Sequence, residues 1–200
     1  GFPNSQMKLL DEAYGLSDLA IQLPLGTQMK SFKNKKQVGL VCKKSTDSRK
    51  EIREKLGIKN SDICIFVNLP NHFTIKSKIP NNIKIISTGA QINSDNVKYI
   101  KPWIEGQNII SASDLVICKC GYGMISECLT NKTPFLYISD DNHLEQKAIS
   151  EQLEEMGFEN RLTEKDLDNL VLNKEFISKI KIKKENNATE NISNILKEYI

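Results

Sequence analysis

The sequence predicts an open, parallel α/β sheet with helices on both faces. Three observations carry that prediction. Short apolar runs suited to buried strands recur at residues 63–67, 83–87, 115–117 and 134–138, each too short for a helix. Segments with helical spacing lie between them, such as Met124, Ile125, Cys128 and Leu129. A tight glycine turn, Cys120-Gly-Tyr-Gly-Met124, joins one run to that helix. Residues 115–138 therefore read strand, turn, helix, strand. That is a βαβ unit, whose crossover is right-handed and whose strands are parallel. Pro134 fits at a strand's first residue, where no ladder hydrogen bond is required of it.

The chain opens with an aperiodic apolar segment at 20–25 and a basic linker, Lys33-Asn-Lys-Lys36. Residues 38–42 are expected to form a short strand. Thr46 or Asp47 then caps a helix that runs through Leu56 and ends at Gly57. The run 63–67 is the most strand-like in the chain and the expected centre of the sheet. Asn68-Leu-Pro-Asn71 follows it, without glycine and with Pro70 lacking an N–H. Residues 83–87 and 96–100 are further strands with Gly89 between them, and Lys101-Pro-Trp103 precedes a short helix at 105–112. Beyond 138, Leu144, Ala148, Leu153 and Met156 mark an amphipathic helix. Residues 158–162 supply a last strand, and Thr163 with Asp166 forms a capping-box-like helix start. The tail is helical, with an apolar stripe of Ile192, Ile195, Leu196 and Tyr199 after a polar link at 181–187.

Two hundred residues suffice for one main domain with a sizeable core. The 28 Lys+Arg against 25 Asp+Glu give only +3, so the footprint that nucleic-acid binding leaves is missing. No nucleic acid is expected as a partner. The five cysteines, at 42, 64, 118, 120 and 128, read as reduced core residues of a cytoplasmic protein. No second Cys/His pair stands at zinc spacing from Cys118 and Cys120. Neither a metal nor another cofactor is implied. No apolar run approaches the roughly 18 residues of a membrane span, so no transmembrane segment is expected.

The candidate chemistry lies at the glycine turn. It places the first N–H groups of the helix at the C-terminal edge of the sheet, where unpaired donors and the helix dipole favour an anion such as a phosphate. Glu127, one turn further on, could accept hydrogen bonds from a ribose diol. The other reading of these residues alone is a plain βα turn with Glu127 solvated.

Context adds to that. From 114 to 157 the order runs Asp114, the Gly121–Gly123 turn, Ser126-Glu127, Thr133-Pro134, a polar loop from His143 to Gln146, and Gly157. This stretch resembles the nucleotide-sugar-binding signature of the C-terminal domain in GT-B glycosyltransferases, especially the group containing the peptidoglycan N-acetylglucosaminyltransferase. The spelling Gly-Tyr-Gly-x-x-Ser-Glu-Cys also looks like the glycosyltransferase-like domain of some sugar kinases. The resemblance implies a Rossmann-like sheet, the C-terminal half of a GT-B fold. It implies a nucleoside-diphosphate sugar, most often a UDP-sugar, as ligand: phosphates on Gly121, Tyr122, Gly123 and Met124, with Ser126 beside them, ribose on Glu127, and sugar near Asp140 and Asp141 with His143 and Gln146. Trp103 would stack on the base, or else belongs to the core.

In that family a glycine-rich loop follows the central strand, and Asn68-Leu-Pro-Asn71 departs from it. Retaining members carry paired glutamates eight positions apart, whereas the position eight before Glu127 is Lys119, which argues for the inverting type. The resemblance also implies a hexosyl transferase in two lobes. Residues 1–36 would then be the exit of an N-terminal domain and a linker, or an ordinary extension. Residues 37–180 would be the nucleotide-sugar-binding domain and 181–200 a helical tail. The catalytic base would come from the other lobe as a partner. A nucleotide-sugar epimerase or hydrolase, and a non-catalytic or degenerate binding module, are the alternative functions.

Overall fold

The structure is a computed structural model that describes residues 4–100 and 105–199. In chain order the elements begin with α1 (Asn4–Gly15), β1 (Ala20–Gln22), β2 (Lys35–Gln37), α2 (Arg49–Leu56) and β3 (Ile63–Asn68). Next come β4 (Thr74–Ile75), β5 (Ile83–Ser87), β6 (Gln91–Ile92), β7 (Val97–Tyr99) and α3 (Gly106–Ala112). The βαβ unit follows as β8 (Leu115–Lys119), α4 (Tyr122–Asn131) and β9 (Phe135–Ile138). The chain ends with α5 (Leu144–Glu155), β10 (Arg161–Leu162), α6 (Glu164–Asp168), α7 (Lys174–Lys179) and α8 (Thr189–Lys197).

Two compact units emerge: residues 42–185, and the residues up to Val41 together with those from Asn186 on. In the larger unit β3, β5, β7, β8, β9 and β10 form one sheet in the order β10-β9-β8-β3-β5-β7, every pair parallel. Starting from β3, the chain builds two strands outward on one side. It then returns to add three on the other, which is the doubly wound order 3-2-1-4-5-6. The fold is therefore the Rossmann-like open parallel sheet.

Strands β3, β8 and β9 are buried along nearly their whole length, as expected where both faces are covered. Alternate residues Ile65, Val67, Leu115, Ile117, Leu136 and Ile138 share one apolar cluster with Ile75, Ile92, Leu167 and Ile177, so the β4–β6 pair and α6–α7 cover that face. On the other face Tyr137 meets Ser150 of α5 at 3.2 Å, and Phe135 packs on Phe158 at 5.8 Å.

The N-terminal edge is fastened by charge. Arg53, 2 % exposed, pairs with Asp114 at 3.3 Å, and Arg49 pairs with the same carboxylate at 2.6 Å. Asp114 also accepts from Cys64 N at 2.8 Å. Helix α2 is set by a full capping box between Ser48 and Glu51 and by Gly57 at φ 74°, one to two residues after the expected cap.

The smaller unit pairs β1 with β2 in parallel. Helix α1 has no buried residue, and Tyr14 stacks on Phe32 at 5.0 Å. Ala20 and Leu25 are buried. The strand expected at 38–42 is not formed. Gly39 lies against Ala188 and Asn186, and Leu40 makes a single bridge to Asn187, so the paired strand is Lys35–Gln37 instead. Two apolar stripes are also corrected. On α5 the buried positions are Gln146, Ile149, Ser150 and Leu153, while Leu144 and Met156 are exposed. On α8 only Ile195 is buried, and Leu196 and Tyr199 are exposed.

Candidate functional site

In a sheet of this order the crevice lies outside the strand C-termini where the winding reverses, here between β3 and β8. Asn68, the last residue of β3, stands opposite Cys118. The chain leaves β8 through Cys120, which is held by its N–H on Ile138 O at 2.8 Å. Gly121 is the N-cap of α4, extended at φ −112°, ψ 144°, with no side-chain cap. Helix geometry leaves the N–H groups of Tyr122, Gly123 and Met124 without an acceptor in their own helix. Tyr122 N donates to Glu145 Oε1 at 3.3 Å.

Neither Gly121 nor Gly123 has a positive φ, and a Cβ at either would meet nothing within 4 Å. Neither packing nor backbone conformation demands glycine there. Their lack of side chains leaves the backbone donors open to the outside.

The residues singled out from the sequence divide into two groups. Tyr122, Gly123 and Met124 lie together on the first turn of α4, with Glu127 half-buried one turn on. The Glu127 carboxylate has no hydrogen-bond or ion-pair partner among the described residues. Burial pushes its pKa up, partly opposed by the charge of Lys43. A half-buried carboxylate without a protein partner is unfilled by the fold and can accept hydrogen bonds from water or a ligand.

Ser126 is different: it is fully buried, and its Oγ donates to Gly123 O at 3.0 Å. Its hydroxyl proton is committed to Gly123 O, which ties Ser126 to the shape of the turn. Gln146 is also buried and accepts from Asp140 N at 3.1 Å, holding the loop after β9. Asp141 is engaged with Arg161 through both oxygens at 2.7 and 2.8 Å. His143 is exposed at the start of α5. Trp103 lies outside the described residues.

Glu145, which meets Tyr122 N, and the linked pair Asn68 and Thr88 were not singled out from the sequence as site candidates. Asn68 was findable as the C-terminal residue of the central strand. An exposed glutamate in the first turn of a helix carries no such signal.

The loop after β3 is closed. Leu69 is 1 % exposed, and a Cβ on Gly89 would stand 2.7 Å from Leu69 O. Backbone therefore packs on backbone, and the short β4 follows where a helix N-terminus would otherwise supply donors. A cavity of about 460 Å³ lies elsewhere, between α2 and α3, lined by Asp47, Ile52, Lys55, Leu56, Glu105 and Asn108.

None of the five cysteines is in a disulfide, and burial pushes the Cys120 thiol up to about 12. Such thiols stay protonated and do not act as nucleophiles. Among the described residues no three His, Cys, Asp or Glu side chains are grouped to hold a metal ion. Nor is any helix among them long and apolar enough to cross a membrane.

Comparison with known proteins agrees with this architecture. Over 151 residues, 72 % of its length, the chain is 30 % identical to an L-arabinokinase of Arabidopsis thaliana, and it spans 14 % of that relative. Residues 74–199, which include β8, the open turn, α4 and Glu127, match the glycosyltransferase family 28 C-terminal domain. By that match, on a sheet wound in this order, the chain belongs to the family of glycosyltransferase family 28 C-terminal domains.

Proposed function

We propose that the chain is the donor-binding lobe of an inverting GT-B glycosyltransferase, taking a nucleoside-diphosphate sugar, with UDP as the nucleotide, for hexosyl transfer to an acceptor hydroxyl. The observation that carries this reading is the unfilled Glu127 carboxylate beside the open first turn of α4, in a chain of this family. The Gly123 and Met124 N–H groups donate to the phosphates and stabilise the charge that develops on the departing diphosphate. Glu127 accepts from the ribose hydroxyls, and the loop carrying Asp140 and His143 faces the sugar. The acceptor hydroxyl loses its proton to a base on another lobe, for which residues 1–36 are the exit and linker. Residues 37–180 are the binding domain, and 181–200 a tail.

A second reading is favoured by one feature. The closed loop after β3 removes backbone donors from one side of the crevice, which suits a binding module without transferase activity. The relative named as an L-arabinokinase is in keeping with that.

Titration calorimetry with UDP, GDP and a UDP-sugar tests the proposal. UDP should bind, and Glu127→Ala should weaken it by about 1.5–3 kcal/mol, the worth of a hydrogen bond to a charged acceptor. Unchanged affinity in that variant removes Glu127 from the site. A UDP-sugar bound but never turned over when a partner lobe is supplied favours the binding module.

A further inference from the structure

Asn68 is half-buried at the end of β3, on the side of the switch point facing α4. Thr88 Oγ1 donates to its Oδ1 at 2.8 Å. Met124 Sδ can only accept, and it orients the amide with nitrogen toward the helix and oxygen toward Thr88. Nδ2 lies 3.2 Å from Met124 Sδ. A thioether is a weak acceptor, and an amide nitrogen carries two N–H donors, so most of this donor capacity is unspent. It stands beside the third residue of the turn. The backbone on the same side cannot take its place: Leu69 is buried, Pro70 has no N–H, and the loop is packed on Gly89.

We infer that Asn68 is a phosphate-binding residue, whose Nδ2–H donates across the switch point to the phosphate held on the Gly123 and Met124 N–H groups. Thr88 is its positioning residue, because it keeps the donor face of the amide turned toward the site. The inference rests on the nucleotide reading above. It adds a second wall to that site, made of a neutral side-chain donor, and it assigns the recognised group as the phosphate of a nucleotide.

Calorimetric titration of the 200-residue chain with UDP and with uridine separates the phosphate contribution from that of the nucleoside. Asn68→Asp keeps the shape of the side chain and exchanges the donor for a negative charge. UDP affinity should fall about tenfold or more, with uridine affinity unchanged. Thr88→Val, at an exposed position, frees the amide to rotate and should cost UDP affinity about two- to fivefold. Thr88→Ser should restore it.

Wild-type UDP affinity in Asn68→Asp overturns the inference and leaves the nucleotide reading standing. UDP and uridine affinities that fall together in both variants assign Asn68 a structural role, which overturns it too. A wild-type chain that binds neither compound overturns the nucleotide reading, and this inference with it.

Discussion

Asp114 enters β8 and Glu127 lies one turn into α4, so a single strand, turn and helix carries a carboxylate near each edge of the sheet. Asp114 is saturated by Cys64 N, Arg53 and Arg49. Glu127 has no such partner among the described residues, and burial pushes its pKa up. A half-buried carboxylate without a protein partner is left to accept from water or from a ligand. The saturated carboxylate fastens α2 to the starts of β3 and β8; the unfilled one lies at the edge proposed above to take the nucleotide. On the proposed function the two acidic residues of one motif do opposite work, and each can be removed separately.

The largest effect is expected at the fastened end. Asp114→Ala leaves Arg53 buried without its counter-charge and takes an acceptor from Cys64 N. Breaking a buried ion pair from one side costs about 3–5 kcal/mol. The lower end applies, because the Asp114 side chain is 32 % exposed and Arg53 keeps carbonyl partners in Ala112 and Asp62. A chemical denaturation curve should therefore show about 3 kcal/mol lost, while the folded fraction binds UDP as before. Unaltered stability would mean that the carbonyls alone satisfy Arg53. Weaker binding by the folded fraction would move Asp114 into the site.

The two kinds of glycine at the open edge give the next largest contrast. At Gly89 a Cβ would strike Leu69 O at 2.7 Å, so Gly89→Ala should cost about 1–3 kcal/mol of stability by overpacking. At Gly123 it would meet open space. Gly123→Ala should leave stability equal or raise it by up to about 1 kcal/mol, since alanine is the better helix former. Its effect should fall on UDP affinity instead, which weakens as the new methyl stands over the turn. Thermal melts and titrations of both variants check this. Equal losses of stability at the two positions would make the turn at Gly121 and Gly123 an ordinary structural one.

Much of this was legible in the sequence. Apolar runs bounded by turn residues located β3, β5, β8 and β9, because a strand covered on both faces has no polar positions to disguise it. The glycine turn and Glu127 were legible for a related reason: a strand, two glycines and a helix leave few alternatives. What periodicity could not supply was partnership. Leu144 and Met156 look like core residues of α5, yet Gln146 and Ser150 take the buried positions because Asp140 N and Tyr137 give them hydrogen bonds. Ser126 carries no sign in the sequence that its hydroxyl bonds to Gly123 O. The strand expected at 38–42 gave way to Lys35–Gln37 because a segment remote in sequence, Asn186 to Ala188, occupies its flank. Asn68 shows no motif at all, and its amide is oriented by two residues remote in sequence, Met124 and Thr88.

The smallest expected effect tests the unfilled carboxylate itself. Burial raises the Glu127 pKa in the folded chain, so between the unfolded and folded values the native state binds more protons than the unfolded one. Stability then falls as pH rises through that window, and the whole penalty is present above it. Glu127→Gln keeps the shape and removes the charge. Its melting temperature should match that of the wild type at pH values below the ordinary carboxylate range, and exceed it slightly at pH 7. The difference is small because the carboxylate is only half-buried and the charge of Lys43 already eases the cost. UDP should reverse the order at pH 7, since the ligand's hydroxyls give the wild-type carboxylate the partners it lacks and stabilise that protein more. If Glu127→Gln instead melts lower at pH 7 without ligand, the carboxylate already serves the fold as Asp114 does, and the contrast between the two is lost.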